Sequence, residues 1–329
     1  MKGVVIPKKS GGERLLGIPT VADRVAQMVI RLKFEPQIEP HFLPDSYGYR
    51  PNKSAIDAIR VTRKRCWNQD WMLEFDIKGL FDNIRHDLLM KAVRKHTDIP
   101  WVCLYIERWL KAPMLKADGE LVMRMQGTPQ GGVISPVLAN LFLHYVFDKW
   151  MQKYYSQLKW CRYADDGLVH CRSETEAKQM LAVLSQRFSD CGLTFHLDKT
   201  RIGYCKDGKR KGRYEHTSFD FLGYTFRPRV VKNRERNSLF VSFTPAVSKV
   251  AQKAMRFRIR KLRIRTRTDL NIVQLAGWLN PMLNGWLSYY GQFSRSEMYK
   301  VFRQLNKALV RCVKKPLRQV FSANERRPR

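Results

Sequence analysis

Positive charge most constrains what this chain can fold into, because it is both large and uneven. Residues 1–200 hold 30 basic and 22 acidic side chains, whereas residues 201–329 hold 31 and 7. The second stretch therefore carries +24 of a total net charge of +32. A compact domain charged this way repels itself unless a polyanion neutralises it, and nucleic acid is the commonest such partner. A lipid surface would select a basic amphipathic helix with an apolar insertion face, but here the aromatic residues are scattered between elements of globular character. With 44% apolar and 12% aromatic residues, the 329-residue chain can offset its ordering entropy by burial and fill two domains. Neither an apolar run of membrane-spanning length nor a charged head before an apolar core is readable, so a cytoplasmic protein without a membrane partner is expected.

Seven cysteines without a Cys-x-x-Cys pair argue against a disulfide framework or a zinc finger. The sequence also lacks a Gly-x-x-x-x-Gly-Lys-Ser/Thr loop and a dinucleotide-binding glycine fingerprint. Any phosphate chemistry must therefore use another design, and its pieces lie along the first two-thirds of the chain. Val4 to Pro7 and Arg14 to Ile18 read as two strands around the basic turn Lys8-Lys9-Ser10-Gly11-Gly12-Glu13. Trp71 to Ile77 alternates with period two, putting Leu73, Phe75 and Ile77 on one face and Glu74 with Asp76 on the other. Taken alone, Asp76 reads better as an ordinary surface residue on a solvated edge strand, and Phe81 in the turn that follows could simply be core.

The loop Gly127-Thr128-Pro129-Gln130-Gly131-Gly132 precedes a helix signalled by Ser135 as N-cap and Pro136 at the first helical position. Its glycines allow a ligand to approach the backbone, and they equally suit an ordinary loop. Cys161 to Ala164 and Leu168 to Cys171 flank Asp165-Asp166-Gly167, which reads as a hairpin turning at the acidic pair. Phosphoryl transfer needs acidic side chains on neighbouring strands to hold two Mg²⁺ ions about 3.5–4 Å apart, and Asp76, Asp165 and Asp166 can supply that set.

These segments, taken in order, resemble a group II intron-encoded reverse transcriptase and maturase of the bacterial type, without an endonuclease domain. The resemblance is carried by Leu16-Gly17-Ile18-Pro19-Thr20 with Asp23-Arg24-Val25, Ser46-Tyr47-Gly48-Tyr49-Arg50-Pro51, Phe75 to Asn83, Thr128 to Gly132, and Tyr163-Ala164-Asp165-Asp166. It continues through Gly192-Leu193 with Asp198-Lys199-Thr200, Phe221-Leu222-Gly223-Tyr224, Gly277 to Pro281, and Gly285-Trp286. It implies an α/β right-hand polymerase, with fingers and a palm built on antiparallel sheet over residues 1–228. A linker over 229–245 and an all-α thumb or maturase domain over 246–329 would follow.

The same resemblance assigns roles. Asp76 and Asp165 would be metal ligands with Asp166 as the third carboxylate, holding two Mg²⁺ ions for which Mn²⁺ could substitute. Lys8 and Arg14 would meet the triphosphate of a deoxynucleotide, and Phe81 would close the sugar pocket against a 2′-hydroxyl. Gln130, Gly131 and Gly132 would lie under the nascent pair and template, with Tyr163 beside the acidic turn. Lys199 would approach the phosphates, and Phe221, Leu222 and Gly223 would support the primer end. The implied activity is RNA-directed DNA synthesis from an RNA template and DNA primer, with intron RNA bound to assist splicing. A splicing cofactor with a relict polymerase site, or a domesticated reverse transcriptase of phage defence or CRISPR systems, would share most of these motifs.

The basic remainder fits the implied RNA grip. Thr244 to Thr268 reads as a helix with Val247, Val250, Ala254 and Phe257 inward and Lys249, Lys253, Arg256, Arg260 and Arg263 as RNA-facing cations. Nine Lys or Arg fall between Lys249 and Arg267 with no acidic residue among them. A second helix is expected from Asp269 with a kink at Asn280-Pro281, and a third from Ser294. Family members usually carry a further N-terminal segment and often a His-Asn-His endonuclease, so incomplete fingers and no second-strand cleavage are expected here.

Overall fold

The computed structural model describes residues 1–7, 12–233, 235–267 and 269–324. They divide into two compact units at Tyr204/Cys205. The first unit opens with strands β1 (Lys2–Pro7) and β2 (Glu13–Ile18), paired antiparallel with Ile6 opposite Arg14. The expected hairpin is thus present, while residues 8–11 of its tip, Lys8 among them, lie outside the described residues. Helix α1 (Val21–Ile38) starts where the Thr20 hydroxyl accepts from the Asp23 amide, and α2 (Ala55–Asn68) starts likewise at Ser54.

Strand β3 (Trp71–Asp76) leads through a left-handed Gly79 into the single turn α3 (Leu80–Asn83). Helices α4 (His86–His96) and α5 (Pro100–Lys111) follow, then the two-residue strands β4 (Met114–Leu115) and β5 (Leu121–Val122). Helix α6 (Ser135–Leu143) runs through a π turn at His144–Asp148 into α7 (Lys149–Tyr154). The unit closes with β6 (Lys159–Tyr163), β7 (Asp166–Cys171), α8 (Glu174–Asp190) and β8 (Arg201–Tyr204).

One sheet has the order β2-β1-β4-β5 and the other β6-β7-β3-β8. β3 is therefore central, and Leu73, Phe75 and Ile77 enter the main core as their alternation predicts. The Phe75 ring sits 5.3–5.8 Å from those of Phe147, Phe188 and Phe195. It also covers the residue opposite, Gly167, where any Cβ would overlap the ring.

The second unit holds β9 (Phe219–Phe221), β10 (Tyr224–Lys232) and β11 (Leu239–Val247) in the order β11-β10-β9. Helices α9 (Lys249–Lys261), α10 (Ile272–Tyr290) and α11 (Tyr299–Asn324) follow. The segment 229–245, expected as a linker, is most of the β10–β11 hairpin. Its change of composition marks an exposed hairpin arm, with Val230 and Leu239 in solvent, while Phe226, Phe243 and Val247 stay buried at its base.

Helix α9 is also shorter than expected and rotated in phase. Its N-cap is Ser248, whose hydroxyl accepts from the Ala251 amide, and the buried residues are Gln252, Met255 and Ile259. Val250 and Phe257, expected inward, are exposed, so only Val247 of that expected stripe enters the core. Helix α10 runs on through Pro281 from a capping box formed by Asn271 and Gln274. No helix among the described residues is long and apolar enough to cross a membrane.

His170 on β7 is 1% exposed, and neither ring nitrogen has a partner among the described residues. Burial, helped by the charge of Arg65, pulls its pKa down to about 3. Above about pH 6.5 both folded and unfolded states are neutral and the residue has no effect on pH dependence. Below that, the unfolded chain takes up a proton that the folded one refuses, so stability is lost by up to about 1.4 kcal/mol per pH unit. His170→Leu should remove this component, and its stability relative to the native chain should rise as pH falls through 6. Urea titrations across that range check it, and a pH-independent difference would contradict it.

Candidate active site

The acidic cluster follows from strand register. β3 and β7 run antiparallel with Asp76 opposite Asp166, and β6 and β7 pair Tyr163 with Asp166. The turn residues are therefore Ala164 and Asp165, one position earlier than the sequence suggested, and Asp166 begins the strand. The expected role of Gly167 as a turn residue gives way to its contact with Phe75. Ala164 takes the left-handed conformation that the tight turn requires, with φ +56°.

The backbone pins this strand end from both sides. Ile77 N donates to Asp165 O at 3.2 Å, and His196 N donates to Asp76 O at 2.8 Å. Behind the turn, Gly48 lies so close to the Tyr163–Ala164 peptide that a Cβ would overlap Ala164 N and sit 3.0 Å from Tyr163 C.

Directly opposed like charges on neighbouring strands repel. Burial raises the Asp166 pKa first, and the charges of Asp165 and Asp76 add to it, to about 7. The compensating cation is Lys199, whose Nζ lies 2.7 Å from Asp76 Oδ2. Partial burial pulls the Lys199 pKa down, but the hydrogen bond and charge of Asp76, then the charges of Asp166 and Asp165, raise it on balance.

Among the described residues no group of three or more His, Cys, Asp or Glu side chains is placed so as to hold a metal ion. The donor set is nonetheless suited to a hard divalent cation: three carboxylates crowded until one of them holds its proton near neutrality.

A second cluster forms around the glycine loop. Gln130 Nε2 donates to both Asp82 oxygens, at 3.0 and 2.9 Å, and Gly17 N donates to Gln130 O at 3.0 Å. Thr128 N donates to Phe81 O at 2.6 Å, and a Cβ on Gly127 would come within 2.7 Å of the Phe81 and Asp82 carbonyls. Phe81 is half-buried against the core, and its ring meets that of Tyr49 edge-on at 6.3 Å. Gly131 has φ +127° and Gly132 is buried. Arg14 lies on β2, opposite Ile6.

In the second unit, Leu222 and Gly223 both have positive φ and form the two-residue turn between β9 and β10, with Phe221 buried. Tyr289 donates its hydroxyl to Leu222 O at 2.8 Å, and Ser248 N donates to Gly223 O at 3.0 Å. Lys249, Lys253, Arg260 and Arg263 are exposed, while Arg256 is half-buried and donates to Gln252 Oε1 at 3.4 Å.

Sequence reasoning missed Tyr49 as the neighbour of Phe81, Asp82 as the partner of Gln130, and Asp148 with Arg162. Asp148 forms a fully buried ion pair with Arg162 at 2.7 Å. The available signal for Asp148 was a lone carboxylate closing the apolar run from Leu141 to Phe147.

The sequence model of the reverse transcriptase (RNA-dependent DNA polymerase) family matches residues 6–226, and that of the group II intron, maturase-specific domain matches residues 252–327. Protein YkfC of Escherichia coli K12 is 30% identical over 274 residues, 71% of this chain and 67% of that protein. The group II intron-encoded protein LtrA of Lactococcus lactis subsp. cremoris is 36% identical over 140 residues, 43% of this chain and 23% of that protein. Telomerase from Candida albicans, in complex with a fragment of telomeric RNA, aligns with a TM-score of 0.55 at 13% identity, covering 95% of this chain and 58% of that one. Apo telomerase from Candida tropicalis aligns at 0.53 and 15% identity, covering 69% and 53%. At those identities the likeness is one of fold: the right-hand polymerase fold with a helical domain after it. The chain spans less than two-thirds of LtrA and of either telomerase.

Gly48→Ala should cost about 1–3 kcal/mol, because the added methyl has only backbone to press against. Gly277→Ala, in open space on α10, should be neutral or stabilising by up to about 1 kcal/mol. Denaturant titrations of both variants followed by circular dichroism check the contrast.

Proposed function

The chain belongs to the group II intron reverse transcriptases and carries their maturase-specific domain, and from that premise we propose that it is an active RNA-directed DNA polymerase which also binds intron RNA to assist splicing. The observation that carries the reading is the register of Asp76 with Asp166, which together with the Ala164–Asp165 turn gathers three carboxylates at one strand end. Asp76 and Asp165 would hold the divalent ions, with Asp166 beside them. Mg²⁺, or Mn²⁺ in its place, would when bound lower the charge on the phosphates and favour the attacking oxygen of the primer.

The remaining chemistry belongs to side chains. Lys199 is a cation at neutral pH, able to exchange its contact with Asp76 for an incoming phosphate and to give a proton to departing pyrophosphate. Lys8 and Arg14 would add a point charge and a planar fork to triphosphate binding. Phe81, backed by the core and by Tyr49, has the rigidity a barrier to a 2′-hydroxyl needs. Asp82 fixes the amide of Gln130, since a carboxylate can only accept. Lys249, Lys253, Arg256, Arg260 and Arg263 would grip RNA phosphates, with exposed Val250 and Phe257 on the same helix. A relict site in an RNA-binding splicing cofactor is the second reading; the Lys199–Asp76 ion pair favours it if that contact is permanent.

The deciding experiment is primer extension on an RNA template by the purified 329-residue chain. Asp76→Ala and Asp165→Ala should each lower extension by at least about three orders of magnitude, because the lost carboxylate acts on transition-state charge. RNA affinity should stay within about twofold, since it depends on Lys and Arg contacts. Wild-type extension by either variant would refute the carboxylate assignment, and RNA binding without any extension by the unmodified chain would favour the splicing cofactor.

A further inference from the structure

Arg162 is 0% exposed, yet all five of its guanidinium N–H groups have acceptors. Nε and Nη2 donate to the two oxygens of Asp148 at 2.8 and 2.7 Å, and Nη2 also donates to Ser46 Oγ at 2.8 Å. Nη1 donates to Asn140 Oδ1 at 3.1 Å and to Ala164 O at 3.2 Å. The acceptors come from the loop before α2, from α6, from the π turn after it, and from the acidic turn itself. Asn140 in turn donates to Gly48 O at 2.5 Å, the glycine that packs against Ala164. Burial alone would raise the Asp148 carboxyl, and the Arg162 guanidinium overrides this and holds it below its ordinary range.

A buried ion pair is not an efficient source of stability, since well-packed apolar residues of similar volume commonly do as well or better. Its distinctive property is geometry: a planar fork that fixes five acceptors at once. One of the five is the carbonyl of Ala164, a non-glycine residue in the left-handed region, which persists only where its surroundings hold it. We infer that the Arg162–Asp148 pair is a positioning device for the acidic turn, setting the Asp165 carboxylate at its working height above the end of β3. The catalytic part of this inference rests on the polymerase reading above; the positioning part does not.

The test uses two variants of the full chain and two readouts. Arg162→Lys keeps the charge and loses the fork; Arg162→Met combined with Asp148→Leu removes both charges and leaves neither unpaired. The Ile77 amide donates to Asp165 O, so its hydrogen exchange reports whether the turn stays docked. In each variant Ile77 should exchange at least tenfold faster, while amides at the far end of the β3–β7 ladder, near Trp71 and Cys171, keep their protection. Primer extension should show kcat lower by about 100-fold with KM for the deoxynucleotide nearly unchanged, the pattern of a misplaced reacting group. Native Ile77 protection and a kcat within threefold of wild type in either folded variant would overturn the inference. Global unfolding of both variants would also overturn it, by making the pair a stability element. If the unmodified chain extends no primer, the polymerase reading fails and the exchange experiment still decides the positioning claim.

Discussion

Three carboxylates at one strand end repel one another, and much of the first unit can be understood as the means of holding them there. The register between β3 and β7 creates the crowding by placing Asp76 opposite Asp166, while the turn adds Asp165. The cost appears in Asp166, which burial and its two neighbours push up to about 7. Opposing that cost are the Lys199 ammonium, two backbone hydrogen bonds, and the buried Arg162 fork behind Ala164. Gly48 and Gly167 complete the arrangement by giving space to a peptide and to the Phe75 ring, respectively.

The parts of this arrangement with a local signature were legible in the sequence. The period-two run from Trp71 to Ile77 put Phe75 in the core and Asp76 on the other face, as found. The acidic hairpin was legible too, but its turn was displaced by one residue because Asp and Gly are ordinary turn formers and nothing local reveals that Gly167 is needed against Phe75. Features that depend on distant partners were not legible. Arg162 and Asp148 are charged residues in apolar surroundings, and their pairing becomes visible only when the π turn and β6 are brought together. Likewise, Asp82 acquires meaning only against Gln130, 48 residues away.

The basic half shows the same limit. Its cation periodicity correctly signalled a helix, but the inward face was assigned to Val250, Ala254 and Phe257 because apolar residues are expected inside. Packing against the later helices selects a different face, burying Met255 and Ile259 and leaving Val250 and Phe257 in solvent among lysines and arginines. A face that mixes cations with an exposed aromatic ring is suited to contacts with both phosphates and bases. The hairpin at the expected linker shows the same effect: its arm is exposed and basic, so composition hides a pairing that the register makes plain.

The central claim is that the three carboxylates act as one cation-binding unit. Calorimetric titration with Mg²⁺ in buffers of differing ionisation enthalpy tests it most directly, because it counts the protons released on binding. Because burial and the charges of Asp165 and Asp76 raise the Asp166 carboxyl, Mg²⁺ binding near neutral pH should release protons, and the release should grow as the pH is lowered toward 6. In Asp166→Asn that release should vanish. Mg²⁺ binding without proton release in the unmodified chain, or equal release from the variant, would contradict the account.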